Sequence, residues 1–188
     1  MAGHLVYVMG PSGAGKDTLL TLARPILAPD GFAFAHRYIT RAPVAGDENF
    51  VSLGAGEFAA RRAAGLFAFD WQVRDVSYGI GREIEQWRAA GLTVVVSGSR
   101  ADFQSGKPAL AGAIPVLITA AREAIAARLA SRGRESAAEI SSRLDRAGAF
   151  EIESPALIRI DNSGVLGTAV SAFVNALRTI RGGSAASA

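Results

Sequence analysis

The sequence predicts an α/β fold in which a mostly parallel β-sheet is flanked by helices and interrupted by one inserted segment. Three observations lead there. Apolar runs rich in β-forming residues recur at 5–9, 35–39, 66–73, 93–97, 115–119 and 156–160. Helical patterns lie between most of them, at 18–27, 81–90, 122–132, 137–149 and 165–180. A glycine-rich turn joins the first strand directly to the first helix. Strands that alternate with helices pair in parallel, because each crossover helix returns the chain to the same edge.

The first strand, 5–9, reads Leu-Val-Tyr-Val-Met without a polar break, the pattern of a strand covered on both faces. The turn after it is Gly10-Pro11-Ser12-Gly13-Ala14-Gly15-Lys16-Asp17-Thr18. It matches the phosphate-gripping pattern G-x-x-x-x-G-K, with Asp17 where Ser or Thr usually follows the lysine. Glycines let successive backbone N–H groups curl around a phosphate, and the following helix adds its positive N-terminal end. Lys16 is placed to reach the β- and γ-phosphates. It is one of only two lysines, with Lys107, in a chain whose other cationic side chains are all arginine. The turn therefore predicts nucleoside triphosphate binding by residues 10–18.

The rhythm breaks over about 37–80, where strand-like segments crowd together, and this stretch reads as an inserted acceptor-binding subdomain. The whole of 1–181 is expected to form one domain, with 182–188 a disordered Gly/Ser/Ala tail. The chain has 188 residues and no cysteine, which excludes disulfides and thiolate metal sites. Its formal charge is only +3 and its arginines are spread over several segments, which phosphate-rich small molecules explain as well as nucleic acid does. No aromatic-basic interleaving favours RNA, so small-molecule substrates and no nucleic acid are expected. The run 5–9 is too short for a membrane span or a signal h-region, so no membrane partner and a cytoplasmic location are expected. Oligomeric state is not readable.

Outside the loop, Arg37, Arg41 and Tyr78 carry the chemistry of a phosphate clamp, since arginine forks and a phenol suit phosphate oxygens. The alternative is an ordinary solvated strand end. Arg128 and Arg132 share one helix face, and Arg143 and Arg146 another, around a turn at Gly133. This pair, about 128–146, reads as a lid that brings cations to a transferring phosphoryl group, or as a plain charged hairpin. The strand at 93–97 ends in Ser97-Gly98-Ser99-Arg100, a place where open α/β sheets hold ligands, or a simple turn with Ser99 as N-cap. Asp161-Asn162-Ser163-Gly164 ends the last strand and is read as turn chemistry in preference to an adenine contact, and His4 and His36 as structural.

The order of the phosphate loop, Thr40-Arg41, Phe50-Val51-Ser52, Tyr78-Gly79 and Arg132-Gly133 resembles the guanylate kinase superfamily. Within it the chain resembles more closely the ribose 1,5-bisphosphate phosphokinases of phosphonate degradation, on four segments: Gly10 to Asp17, Ala35-His36-Arg37-Tyr38-Ile39-Thr40-Arg41, Ser97-Gly98-Ser99-Arg100-Ala101 and Arg132-Gly133-Arg134-Glu135. The resemblance covers nearly the whole chain. It implies a P-loop kinase fold, ATP and Mg2+ as cofactors, and transfer of a phosphoryl group to ribose 1,5-bisphosphate to give 5-phosphoribosyl 1-diphosphate. On this reading Lys16, Arg132 and Arg143 are catalytic. Arg37, Arg41, Glu48, Tyr78 and Arg100 hold the acceptor, and Asp17 and Thr18 lie beside the metal, Asp17 through water. Guanylate kinases carry a base-reading glutamate where Phe69 stands and a tyrosine where Glu48 stands. A phenyl ring offers guanine no hydrogen bond. A nucleoside monophosphate kinase, and a catalytically inactive interaction module of the same fold, remain the alternative expectations.

Overall fold

A computed structural model describes residues 2–42, 49–131, 141, 144 and 152–183. Its core is a five-stranded, wholly parallel sheet built from β1 (Leu5–Met9), β2 (Phe32–Phe34), β7 (Thr93–Ser97), β8 (Ile114–Thr119) and β9 (Ile158–Asp161). The order across the sheet is β2-β7-β1-β8-β9, which puts β1 at the centre. All five residues of β1 are buried. Successive side chains of a strand point to opposite faces, so β1 feeds two separate cores. Val6 and Val8 join Leu19, Ala23 and Leu27 of α1 (Lys16–Leu27) and Phe173 and Leu177 of the last helix, α6 (Leu166–Gly183). Leu5, Tyr7 and Met9 join Phe69, Trp71, Ile80 and Ile84 on the other side.

That second core exists because another sheet packs there. It has the order β4-β3-β6-β5, from β3 (Arg37–Ile39), β4 (Phe50–Ser52), β5 (Phe67–Val73) and β6 (Val76–Gly81). The strands β5 and β6 form an antiparallel hairpin, β6 pairs antiparallel with β3, and β3 runs parallel to β4. The helix α2 (Ala55–Ala63) crosses from β4 to β5 and buries Phe58 against Phe67. Beside two 3-10 turns, Ala28–Asp30 and Pro108–Leu110, three further helices have described bounds. They are α3 (Glu83–Ala89), α4 (Arg100–Gln104) and α5 (Arg122–Ser131).

The structure departs from the sequence expectations in specific places. The run at 35–39 is only partly a strand: Arg37–Ile39 forms β3 of the second sheet, and the edge strand of the core lies just before the run, at Phe32–Phe34. Ala35 donates its N–H to Val95 and still belongs to the core, so the chain changes sheets at His36. The helices α2 and α4 went unread because they are short and carry few apolar positions. The helix α6 continues through Gly182 and Gly183, past the expected start of the tail; its apolar face is anchored by Phe173, Val174 and Leu177, and glycine is tolerated in a last turn. Residues 184–188 lie outside the described residues. Among the described residues, no helix is long and apolar enough to cross a membrane.

Candidate active site

The glycine-rich turn follows β1 at the C-terminal edge of the sheet and borders an open cavity lined by Gly10–Gly13 and Gly15–Thr18. Gly15 caps α1 in the left-handed conformation, at φ 85°. A Cβ there would come within 2.4 Å of the Asn162 amide nitrogen, so the position admits neither a side chain nor ordinary backbone geometry. The turn is braced from behind. Asn162 Nδ2 donates to the Ala14 carbonyl at 2.8 Å, and Arg128 donates to the carbonyls of Ala14 (3.4 Å) and Asn162 (2.6 Å). Arg128, expected on the lid, thus supports the loop through main-chain carbonyls. Asn162, read as turn chemistry, is 1% exposed and belongs to the loop's support.

Lys16 opens α1 with its side chain 10% exposed. Its ammonium group donates to Asp17 Oδ1 at 2.7 Å and to Ser97 Oγ at 2.5 Å. Ser97 closes β7, so the lysine is held between the loop and the neighbouring strand end. The same Asp17 oxygen lies 3.5 Å from Arg37 Nη2. Arg37 is only 7% exposed at the start of β3, a burial that this ion pair makes affordable. A second cleft, of about 360 Å³, opens on the far side of Asp17 and is lined by Thr21, Arg24, Arg37, Asn49 and Ser97 among others. The Asp17 carboxylate therefore stands on the wall common to both cavities.

Of the three residues expected to clamp a phosphate, Arg37 and Tyr78 lie together. The Arg37 guanidinium lies over the Tyr78 ring, 5.9 Å from its centroid, and Tyr78 is stacked on Trp71 at 5.3 Å and 8°. Arg41 stands farther along, over the Phe50 ring at 5.1 Å, while its carbonyl accepts from Ser52 Oγ. Arg100 opens α4 half-buried, and desolvation lowers its pKa from the ordinary arginine value while leaving it cationic. Ser99 acts as the N-cap of α4, its Oγ accepting from the Asp102 N–H at 3.0 Å. Glu48, Arg132, Arg143 and Arg146 lie outside the described residues.

Comparison with known proteins decides the family. The chain is 49% identical over 163 residues to the ribose 1,5-bisphosphate phosphokinase PhnN of Desulfomicrobium baculatum, covering 86% of this chain and 87% of that protein. It is 51% identical over 166 residues to the PhnN of Burkholderia pseudomallei, with 88% and 90% covered. The chain belongs to the ribose 1,5-bisphosphate phosphokinase family. No family model matches it. Among solved structures, a guanylate kinase from Anaplasma phagocytophilum superposes with a TM-score of 0.67 at 16% identity, over 96% of this chain and 87% of that one, which shows a shared fold.

Against that fold, this phosphokinase-family chain places Phe69 in its interior. The ring is 5% exposed and lies 6.1 Å from Tyr7 and 6.2 Å from Trp71. The position thus builds the second core. Beneath it runs a polar network that sequence reasoning missed. The fully buried Tyr7 hydroxyl donates to Asp102 Oδ2 at 2.9 Å and accepts from the Ser99 N–H at 3.1 Å. Burial first, and then the Asp102 carboxylate, push the Tyr7 phenol well above its ordinary pKa. Gly98 is required here, since a Cβ would sit 2.0 Å from the Tyr7 oxygen. The one available signal was Tyr7 itself, a polar tip within an otherwise apolar strand.

Proposed function

We propose that the protein transfers the γ-phosphoryl group of ATP to the 1-phosphate of ribose 1,5-bisphosphate, giving 5-phosphoribosyl 1-diphosphate and ADP. The observation that carries this reading is the Ser97–Lys16–Asp17–Arg37 chain. It joins the glycine-rich cradle to an arginine-lined cleft across one carboxylate. An oxygen of the acceptor phosphate attacks the γ-phosphorus, and the bond to the β–γ bridging oxygen breaks, that oxygen leaving with the electron pair on ADP. The attacking oxygen is already ionised, so no general base is needed, and positioning and charge stabilisation supply the catalysis.

In this scheme the backbone amides of 10–18 hold the donor phosphates and Lys16 shifts from Asp17 and Ser97 to the β- and γ-oxygens. Arg37, with Tyr78 beneath it, orients the acceptor phosphate, Arg41 and Arg100 supply further positive charge, and Glu48 contacts the ribose. Arg132 and Arg143 approach the transferring group from the lid. The residues present fit Mg2+ as part of a metal–nucleotide complex. Among the described residues no cluster of three or more His, Cys, Asp or Glu forms a protein cage. Asp17, with its side chain 46% exposed at the cradle, and Thr18 would hold the ion's water shell. Bound Mg2+ neutralises charge on the phosphates. The deciding experiment incubates purified protein with ATP and ribose 1,5-bisphosphate and seeks 5-phosphoribosyl 1-diphosphate by mass spectrometry. Absence of that product, or stronger turnover of GMP, overturns the reading.

A further inference from the structure

Lys107 is the chain's second lysine, and the proposed reaction does not use it. It follows α4 and precedes the 3-10 turn Pro108–Leu110. Its ammonium group donates to two acceptors that belong to different sheets' layers, Asp102 Oδ1 and the main-chain carbonyl of Asp70. Asp102 sits in α4, just after the end of core strand β7, with its side chain 1% exposed. Asp70 lies on β5, in the second sheet. The other Asp102 oxygen takes the Tyr7 hydroxyl from the central strand, three residues before Gly10. A continuous polar path thus runs from β1 through Tyr7, Asp102 and Lys107 to the backbone of β5.

What β5 carries gives this path a consequence. The residue after Asp70 is Trp71, whose ring supports Tyr78, which in turn lies under the Arg37 guanidinium. A carboxylate on one body and a carbonyl on another can be bridged by a cation with several donors, and an ammonium on a long stem has three. The buried Asp102 also needs a charged partner, because an uncompensated carboxylate in the interior is costly. Packing between Phe69, Trp71 and Tyr7 is apolar and non-directional, so it sets how far apart the layers are but not their relative slide along the strands. Directional contacts between the layers include the Arg37–Asp17 ion pair, the bond from Asn49 Nδ2 to the Phe34 carbonyl and those of Lys107, and it is the Lys107 bonds that reach β5.

We infer that Lys107 is a positioning residue that fixes the sheet bearing Arg37 and Tyr78 against the strand and loop that bear the nucleotide. The inference rests on the phosphoryl-transfer reading above. Its test is the Lys107→Met variant, with Lys107→Arg as the conservative rescue and Asp102→Asn/Lys107→Met as the variant that removes the charge left behind. In both Met-containing variants the KM for ribose 1,5-bisphosphate rises by about fivefold to tenfold while the KM for ATP stays within about twofold, because alignment of the acceptor alone is lost. Lys107→Arg recovers most of the difference. A second readout is independent of activity. In a Trp87→Phe background, Trp71 is the one remaining tryptophan, and its acrylamide quenching increases when Lys107 is replaced by Met. An unchanged acceptor KM, or both KM values moving together with the melting temperature, overturns the inference. If the wild-type protein makes no product at all, the proposed reaction falls, and the Trp71 quenching still decides whether Lys107 holds the two layers in register.

Discussion

Arg37 Nη2 lies 3.5 Å from the Asp17 oxygen that also accepts the Lys16 ammonium group, so one carboxylate couples the cation of the glycine-rich loop to the cation of the second sheet. Lys16 and Arg37 are the residues expected to face the two substrates, and Asp17 keeps both extended toward the space between them. Replacing it tests this directly. Asp17→Asn keeps the shape and removes the charge. Its turnover is expected to fall by about tenfold or more, since two charge-assisted contacts are lost, and its Mg2+ titration midpoint is expected to move to higher concentration. Steady-state kinetics across a Mg2+ series measures both, and an unchanged midpoint would remove Asp17 from the metal's surroundings.

Lys16→Ala leaves the interior untouched, because the side chain reaches out of the first turn of α1 to polar partners. Activity is expected to drop by at least about a hundredfold, the usual cost of deleting a preorganised charge at a developing anion. Circular dichroism checks that the fold persists. Retained ATP-dependent activity would mean that the loop does not serve catalysis.

Gly15→Ala meets both a left-handed backbone at φ 85° and the Asn162 amide at 2.4 Å. The loss of stability is expected to be about 1–3 kcal/mol from backbone strain before any clash is counted. That corresponds to a fall in melting temperature of roughly 2–4 °C per kcal/mol for a chain of this size. Nucleotide affinity is expected to fall as well, because Asn162 braces the loop through Ala14. Calorimetry with and without ATP separates the two effects.

Phe69→Glu is expected to unfold the protein rather than to create guanylate kinase activity. The ring is 5% exposed between Tyr7 and Trp71, and a carboxylate in its place is buried without a partner while the aromatic packing is lost. The expected cost is more than about 3 kcal/mol. Thermal unfolding and GMP turnover check it together, and a stable, GMP-active variant would contradict the placement of this residue.

Tyr7 makes a prediction about pH. Its phenol titrates at higher pH in the folded state than in the unfolded chain, because burial and Asp102 oppose the phenolate. The unfolded chain therefore releases this proton first, and stability is full below the ordinary tyrosine value and falls as pH rises past it. Relative to Tyr7→Phe, the wild-type protein should show no extra pH dependence in neutral solution and a progressive extra loss above about pH 10. Urea unfolding of the two proteins from pH 8 to 11 measures the difference, and parallel curves throughout would contradict it.

The sequence by itself determined the glycine-rich loop and the strand and helix that flank it. The glycines, Lys16 and the buried strand 5–9 are contiguous, and their chemistry follows from local backbone geometry, so the loop and the parallel strands beside it could be read directly. The same holds for the resemblance that named the family. The tertiary structure alone decided what lies across from the loop. Phe34 and Arg37 are three residues apart yet belong to different sheets, a division that no local pattern encodes. Tyr7 and Asp102 are separated by 95 positions and meet only because β1 and β7 are neighbours. Phe69 looked like a pocket residue by its place in the order of motifs, and the packing of one sheet on the other made it core. Contacts of this kind depend on which faces the two sheets turn toward each other, and that choice is settled by burying apolar area over the whole domain rather than by any short stretch of chain.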